Sequence, residues 1–139
     1  MRVKNVMTKD VQIAAVDTSL VAAAKLMRGE GIGFLPVVEN GYVLGVLTDR
    51  DMVVRGIAEG RNVYMTTAVD IMTSAVMWCF EDETLIEAAQ LMEDNHVRRL
   101  LVLDREKRLV GLLSLDDLAA RMSSDRLLGT VLRNVTAAA

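Results

Sequence analysis

Residues 45–51 read Gly-Val-Leu-Thr-Asp-Arg-Asp, and residues 111–117 read Gly-Leu-Leu-Ser-Leu-Asp-Asp. Each is a glycine, two apolar residues, a hydroxyl and, three positions later, a carboxylate. The copies lie 66 residues apart, and Arg55 falls on Arg121 at the same spacing. Upstream the offset is 65. It places Val6-Met7-Thr8 on Ile71-Met72-Thr73 and Asp17-Thr18-Ser19-Leu20 on Asp82-Glu83-Thr84-Leu85. Ala23, Ala24, Leu26 and Met27 then fall on Ala88, Ala89, Leu91 and Met92, and Leu35 and Val37 on Leu100 and Val102. One residue inserted between strands accounts for the change of offset, since insertion there is cheap. Two copies of about 60 residues fill the chain.

Each copy reads alike. A short apolar run, at 11–16 and again at 76–80, predicts a strand. Leu20, Ala23, Ala24 and Met27 have the i, i+3, i+4, i+7 spacing of an amphipathic helix, as do Leu85, Ala88, Ala89 and Met92. Thr84 and Glu87 form a capping box at the start of the second of these. Residues 34–39 and 42–48 are β-rich and joined by Asn40-Gly41, the strongest short hairpin signal. Residues 100–104 and 108–114 repeat the pattern with a longer turn through Glu106-Lys107. A further helix opens near Asp49 and near Asp116.

The unit is β-α-β-β-α, an α/β (α+β) fold. A unit this small leaves one sheet face uncovered, so the two copies are expected to pack about a pseudo-twofold axis. The expected division is 1–62, 63–122 and a C-terminal helical extension at 123–139, with 60–67 as the linker. Leu128, Val131, Leu132 and Val135 carry the helical spacing of that extension, and residues 137–139 are expected to fray. Met27, Met72 and Met92 read as core filler. Met7, Met72 and the last helix have a second reading as a dimer surface.

Composition sets limits. The chain has 139 residues, 52% hydrophobic and 25% charged, with net charge −3. No run reaches the ~18 apolar residues of a membrane helix. Residues 1–10 do not read as a secretory signal, so a soluble cytoplasmic protein without membrane contact is expected. A single cysteine and a single histidine provide neither an internal disulfide nor a histidine-rich metal cage. Cys79 and His96 could form a nucleophilic pair only in principle, because Cys79 stands in the apolar run Val-Met-Trp-Cys-Phe and reads as a small buried hydrophobe. Mild acidity argues against nucleic acid as a partner. Without a glycine-rich phosphate loop or a nucleophile–base pair, no enzyme and no catalytic residue is expected, and no metal site.

The repeated motif supports two readings. A hydroxyl with a carboxylate three positions on is a capping box. The same geometry offers a ligand site: N–H donors and positive potential for a phosphate, a hydroxyl to assist, and a carboxylate to accept both hydroxyls of a ribose. The copies differ just before the hairpin, where His96-Val97-Arg98-Arg99 faces Gly31-Ile32-Gly33-Phe34 in the alignment. Only the second copy supplies its own arginines for a phosphate.

The Ile/Val-Met-Thr openings, Phe34-Leu-Pro-Val-Val, Val97-Arg-Arg-Leu-Leu-Val and the two Gly-x-x-Thr/Ser-x-x-Asp motifs resemble a tandem pair of cystathionine β-synthase (CBS) domains, or Bateman module, over about residues 3–122. Thr48-Asp-Arg-Asp51-Met-Val-Val-Arg-Gly resembles the small stand-alone bacterial members. Leu101 stands where proline is common. The resemblance implies a ligand cleft between the domains for an adenosine-containing regulatory ligand (AMP, ADP, ATP or S-adenosylmethionine), with no cofactor required. It implies composite pockets. One would use Ser114, Asp117, Arg98, Arg99, Thr8, Val11, Ile13 and Ile32. The other would use Thr48, Asp51, Arg50, Thr73, Val76, Trp78 and Val97, with Trp78 either stacking on adenine or filling the cavity. The first is expected to be the better nucleotide site. The resemblance further implies a homodimer and signalling to an unknown protein partner in trans; the alternative is a structural or interaction module that binds no ligand.

Overall fold

The computed structural model describes residues 1–121 and 125–137, and of residues 125–128 and 137 the backbone alone. Internal contacts divide the chain into a continuous unit, Gln12–Val76, and a split unit made of Met1–Val11 and Met77–Ala139.

In the continuous unit α1 (Leu20–Glu30) starts at Ser19, whose Oγ accepts the Ala22 N–H at 3.1 Å, and ends at Gly31 in the left-handed conformation. Its Leu20, Ala23 and Met27 are buried against Ala14, Leu35, Val37, Leu47, Ala68 and Ile71. Strands β1 (Phe34–Glu39) and β2 (Tyr42–Thr48) pair antiparallel through Asn40 (φ 54°) and Gly41 (φ 86°). Positive φ at both central residues matches the right-handed twist of the strands and accounts for the asparagine–glycine pair. The chain continues as α2 (Asp49–Asp51), a π-helical stretch at Met52–Ile57, and α3 (Ala68–Ile71).

Residues 60–67 are hydrogen-bonded to the start of α1. The Leu20 N–H donates to the Thr66 carbonyl at 3.0 Å and the Val21 N–H to the Val63 carbonyl at 3.2 Å. Two of the four N–H groups that a helix start leaves unpaired are thereby satisfied.

The split unit opens with a 3-10 turn at Val3–Asn5, followed by β3 (Trp78–Phe80), α4 (Leu85–Asn95), β4 (Arg99–Leu103), β5 (Leu109–Ser114), α5 (Leu115–Arg121) and α6 (Asp125–Ala137). The expected Thr84–Glu87 capping box opens α4. The sheet order is β3-β4-β5, with β3 parallel and β5 antiparallel to β4. Val131 and Val135 of α6 are buried with Met92, Leu100, Leu113 and Leu118, whereas Leu132 is 47% exposed. The Leu128 side chain, residues 138 and 139, and the expected 122/123 boundary lie outside the described residues. Met27 and Met92 are buried, and Met7 and Met72 pack against the two cores.

The strand expected at 11–16 reduces to one parallel bridge, Ala14 with Val37, whereas its counterpart forms β3. At the N-terminal end of this pairing the cause is a single residue on the facing strand. The Ala14 N–H donates to the Pro36 carbonyl and the Ala14 carbonyl accepts from Val38, both at 2.9 Å. The next bond of a parallel ladder would need an N–H at position 36, and proline has none. At the equivalent position Leu101 donates its N–H to the Met77 carbonyl at 3.1 Å, and the pairing extends.

Chain order also differs from packing order, because each Ile/Val-Met-Thr opening docks on a hairpin strand of the opposite copy. Thr8 and Leu112 exchange both backbone bonds at 2.9 Å, and Thr73 and Val46 exchange theirs at 2.8 and 2.9 Å. The motif glycines make room for this approach. A Cβ on Gly45 would stand 2.6 Å from the Thr73 carbonyl oxygen, and one on Gly111 would stand 2.5 Å from the Met7 sulfur.

Candidate functional site

Both motifs sit where a hairpin strand turns into a helix, and both are capping boxes. Thr48 N–H donates to Asp51 Oδ2 and Asp51 N–H to Thr48 Oγ1, each at 3.0 Å. Ser114 N–H donates to Asp117 Oδ2 at 2.8 Å, and Asp117 N–H donates to Ser114 Oγ at 3.1 Å. The capping reading is therefore realised in both copies. It uses one carboxylate oxygen and leaves the other to be settled by the surroundings.

Those surroundings differ. In the split unit Arg99 lies opposite Ser114 in the β4–β5 register, and the Arg98 carbonyl accepts the Leu115 N–H at 2.8 Å. The exposed arginine pair is thus fixed beside the Ser114 motif, on the same unit as Thr8 and Val11. Among the described residues, Asp117 Oδ1 has no hydrogen-bond partner. Ile13 and Ile32, 45% and 36% exposed, belong to the continuous unit.

In the continuous unit Phe34 lies opposite Thr48, and the Gly33 carbonyl accepts the Asp49 N–H at 3.0 Å. The Asp49 carboxylate folds over Gly33, where a Cβ would stand 2.5 Å from Asp49 Oδ2. The position that carries arginine in one copy is therefore shadowed by a carboxylate in the other. Arg50 is exposed and its backbone N–H donates to Asp49 Oδ1 at 2.9 Å.

Sequence reasoning missed Arg55. Its Nη2 lies 2.7 Å from Asp51 Oδ1 and 2.9 Å from Thr73 Oγ1, and its Nε donates to the Ile71 carbonyl at 3.0 Å. The Thr73 hydroxyl lies 3.2 and 3.3 Å from the two Asp51 carboxylate oxygens. The signal was the i, i+4 spacing to Asp51, with Arg121 and Asp117 as its repeat. Val76 is half-buried in the same unit; Trp78 and Val97 belong to the split unit. Trp78 is 37% exposed and meets Phe80 edge to face, 5.0 Å between ring centroids.

The Cys79–His96 pair has no nucleophilic character. Burial, with a smaller contribution from the charge of Glu83, pushes the Cys79 thiol up to about 12. A thiol so placed is protonated and inert. His96 Nδ1 is engaged with the Asn134 carbonyl at 2.8 Å. Among the described residues no group of three or more His, Cys, Asp or Glu side chains could hold a metal ion, and no helix is long and apolar enough to cross a membrane.

The CBS domain family model matches residues 3–55 and 68–124. The CBS domain-containing protein YhcV of Bacillus subtilis is 35% identical over 134 residues, covering 96% of this chain and 94% of its own. Among solved structures, Hypoxic Response Protein I with two coordinated zinc ions has a TM-score of 0.78 at 30% identity, covering 88% of this chain and 99% of its own. CBSX2 in complex with AMP has a TM-score of 0.73 at 25% identity, with coverage of 86% and 93%. The CBS domain pair of MJ0100 in complex with 5′-methylthioadenosine and S-adenosyl-L-methionine has 0.71 at 27%, with coverage of 86% and 94%.

Proposed function

Because the chain belongs to the CBS domain family, as a tandem pair of its domains, we propose that it is a regulatory module that binds an adenosine-containing ligand at the Ser114–Asp117 motif and reports the bound state to a protein partner in trans. The observation that carries this reading is the Asp117 carboxylate. Its Oδ2 is anchored by the Ser114 N–H and, among the described residues, its Oδ1 has no partner. That leaves a positioned acceptor, which is what the two hydroxyls of a ribose require.

Adenosine is the part common to the ligands of the two relatives solved with AMP and with methylthioadenosine and S-adenosylmethionine. Arg98 and Arg99 beside Ser114 favour a phosphate, so AMP, ADP and ATP rank above S-adenosylmethionine. The module carries out no reaction; its carboxylates serve as acceptors. A ligand shifts a conformational equilibrium only through its different affinities for the two states, so signalling requires that bound and free forms differ in structure.

The reciprocal cap bonds favour a second reading, in which both motifs serve the fold and no ligand binds. Calorimetric titration of AMP, ATP and S-adenosylmethionine separates the two. Saturable AMP binding that is retained in Asp51→Ala and weakened at least about tenfold in Asp117→Ala supports the proposal, since a charge-assisted bond is worth ~1.5–3 kcal/mol. Loss on the Asp51 change alone contradicts the ranking of the motifs. No binding of any adenosine compound supports the structural reading. Both substitutions remove a helix cap, so thermal unfolding is measured alongside.

A further inference from the structure

We propose that Arg55 is an internal latch on the Asp51 motif: its guanidinium holds the carboxylate oxygen that a ligand hydroxyl would need, so that this motif is closed while the Asp117 motif is open. The proposal rests on the adenosine-binding reading above and adds to it a cause for inequality between two motifs of the same sequence pattern.

A carboxylate offers about four lone-pair positions. At Asp51 the Thr48 N–H takes one on Oδ2, Arg55 Nη2 takes one on Oδ1 at 2.7 Å, and the Thr73 hydroxyl lies within 3.2 to 3.3 Å of both oxygens. Arg55 Nη2 also donates to Thr73 Oγ1 at 2.9 Å, closing a triangle of guanidinium, hydroxyl and carboxylate. The Asp51 side chain is 12% exposed and that of Arg55 43%. The guanidinium is tied down at a third point, the Ile71 carbonyl at the end of α3. A ribose hydroxyl donating to Asp51 Oδ1 must displace a charge-assisted bond and leave a half-buried guanidinium one partner short.

The counterpart residues are present in the split unit and do not assemble. Arg121 and Thr8 are the repeat equivalents of Arg55 and Thr73, and both are exposed. Among the described residues neither has a side-chain bond to Asp117, whose only contacts are the two cap bonds. Residue type alone therefore does not set the difference. Arg55 rides on the π-helical stretch Met52–Ile57, whereas Arg121 lies in the regular helix α5. Widened turns of this kind re-aim side chains and recur at functional positions.

The test is the binding stoichiometry of the full chain by calorimetry, with AMP and with adenosine, which lacks the phosphate. Wild type is expected to bind one equivalent of AMP tightly, a site weakened in Asp117→Asn. Arg55→Met, which keeps the stem and removes the guanidinium, is expected to add a second equivalent with a gain on the order of tenfold in affinity at the Asp51 motif. The added site must disappear in Arg55→Met combined with Asp51→Asn. Thr73→Val loosens the same triangle without changing charge and serves if Arg55→Met fails to fold; a smaller gain is expected there. A purely structural role for Arg55 would lower the unfolding temperature and add no site. One equivalent of AMP bound at Asp117 with no gain in either variant overturns the latch alone. Loss of existing binding at the Asp51 motif in Arg55→Met makes Arg55 a ligand contact and also overturns it. No binding of AMP or adenosine to wild type or variants overturns the adenosine reading and the latch with it.

Discussion

At the scale of single residues, one motif pattern produces two chemical situations. Asp51 and Asp117 hold the same cap bonds, yet one carboxylate is engaged by Arg55 and Thr73 and the other retains an unpartnered oxygen among the described residues. The motif glycine has its own physical cause. Gly45→Ala would push a methyl group to 2.6 Å from a backbone carbonyl that is held in a two-bond bridge. A loss of about 1–3 kcal/mol in unfolding free energy is expected, measured by urea titration, because the backbone on both sides must shift. The motif pairs were legible in the sequence because duplication displays each beside its copy. Arg55 was not legible as part of a site: its contact with Thr73 spans 18 residues, and π-winding leaves no mark in composition or periodicity.

Among the elements, the hairpins and long helices were readable because local rules decide them. Asn40-Gly41 and the Thr84–Glu87 box form as the sequence predicts. The strand expected at 11–16 failed for a reason that is not local, since its length depends on a donor in the facing strand. Leu101→Pro should remove the bond to Met77 and shorten β3 at its Trp78 end, at a loss of about 1 kcal/mol by urea titration. An unchanged midpoint would show that the Leu101 bond contributes nothing.

A second element-level prediction concerns acid. Asp82 precedes α4 and receives both Arg105 Nε at 2.8 Å and Nη2 at 2.7 Å, and those bonds hold its carboxyl below the usual range. A carboxyl depressed in the folded state contributes stability above its unfolded value and loses it as pH falls through the folded value. Asp82→Asn should therefore lower stability at neutral pH and flatten the acid limb of the stability curve. An acid limb as steep as that of wild type would assign acid sensitivity to other carboxylates.

For the molecule as a whole, the two copies were evident in the sequence, and the placing of Thr8 with the Ser114 motif and of Thr73 with the Thr48 motif came from the family resemblance rather than from periodicity. Chain order groups residues 63–76 with the second repeat, while the Thr73–Val46 bonds and the Leu20 N–H to Thr66 carbonyl bond tie the same residues to the continuous unit. A pairing between segments tens of residues apart is set by backbone bonds that hydrophobic periodicity does not encode. The continuous unit also exposes Val53, Val54, Ile57, Tyr64 and Met65, of which Met65 is 76% exposed. The homodimer that the family resemblance implies would have these exposed apolar residues available to it, so light scattering at micromolar concentration is expected to give the mass of two chains, and Ile57→Glu to reduce it. A monomer mass for wild type would remove that expectation.

Native mass spectrometry of the full chain in saturating AMP tests the central claim most directly. One AMP per chain, lost in Asp117→Asn and kept in Asp51→Asn, is the predicted result; an absence of any AMP adduct, or an adduct insensitive to Asp117→Asn, would contradict it.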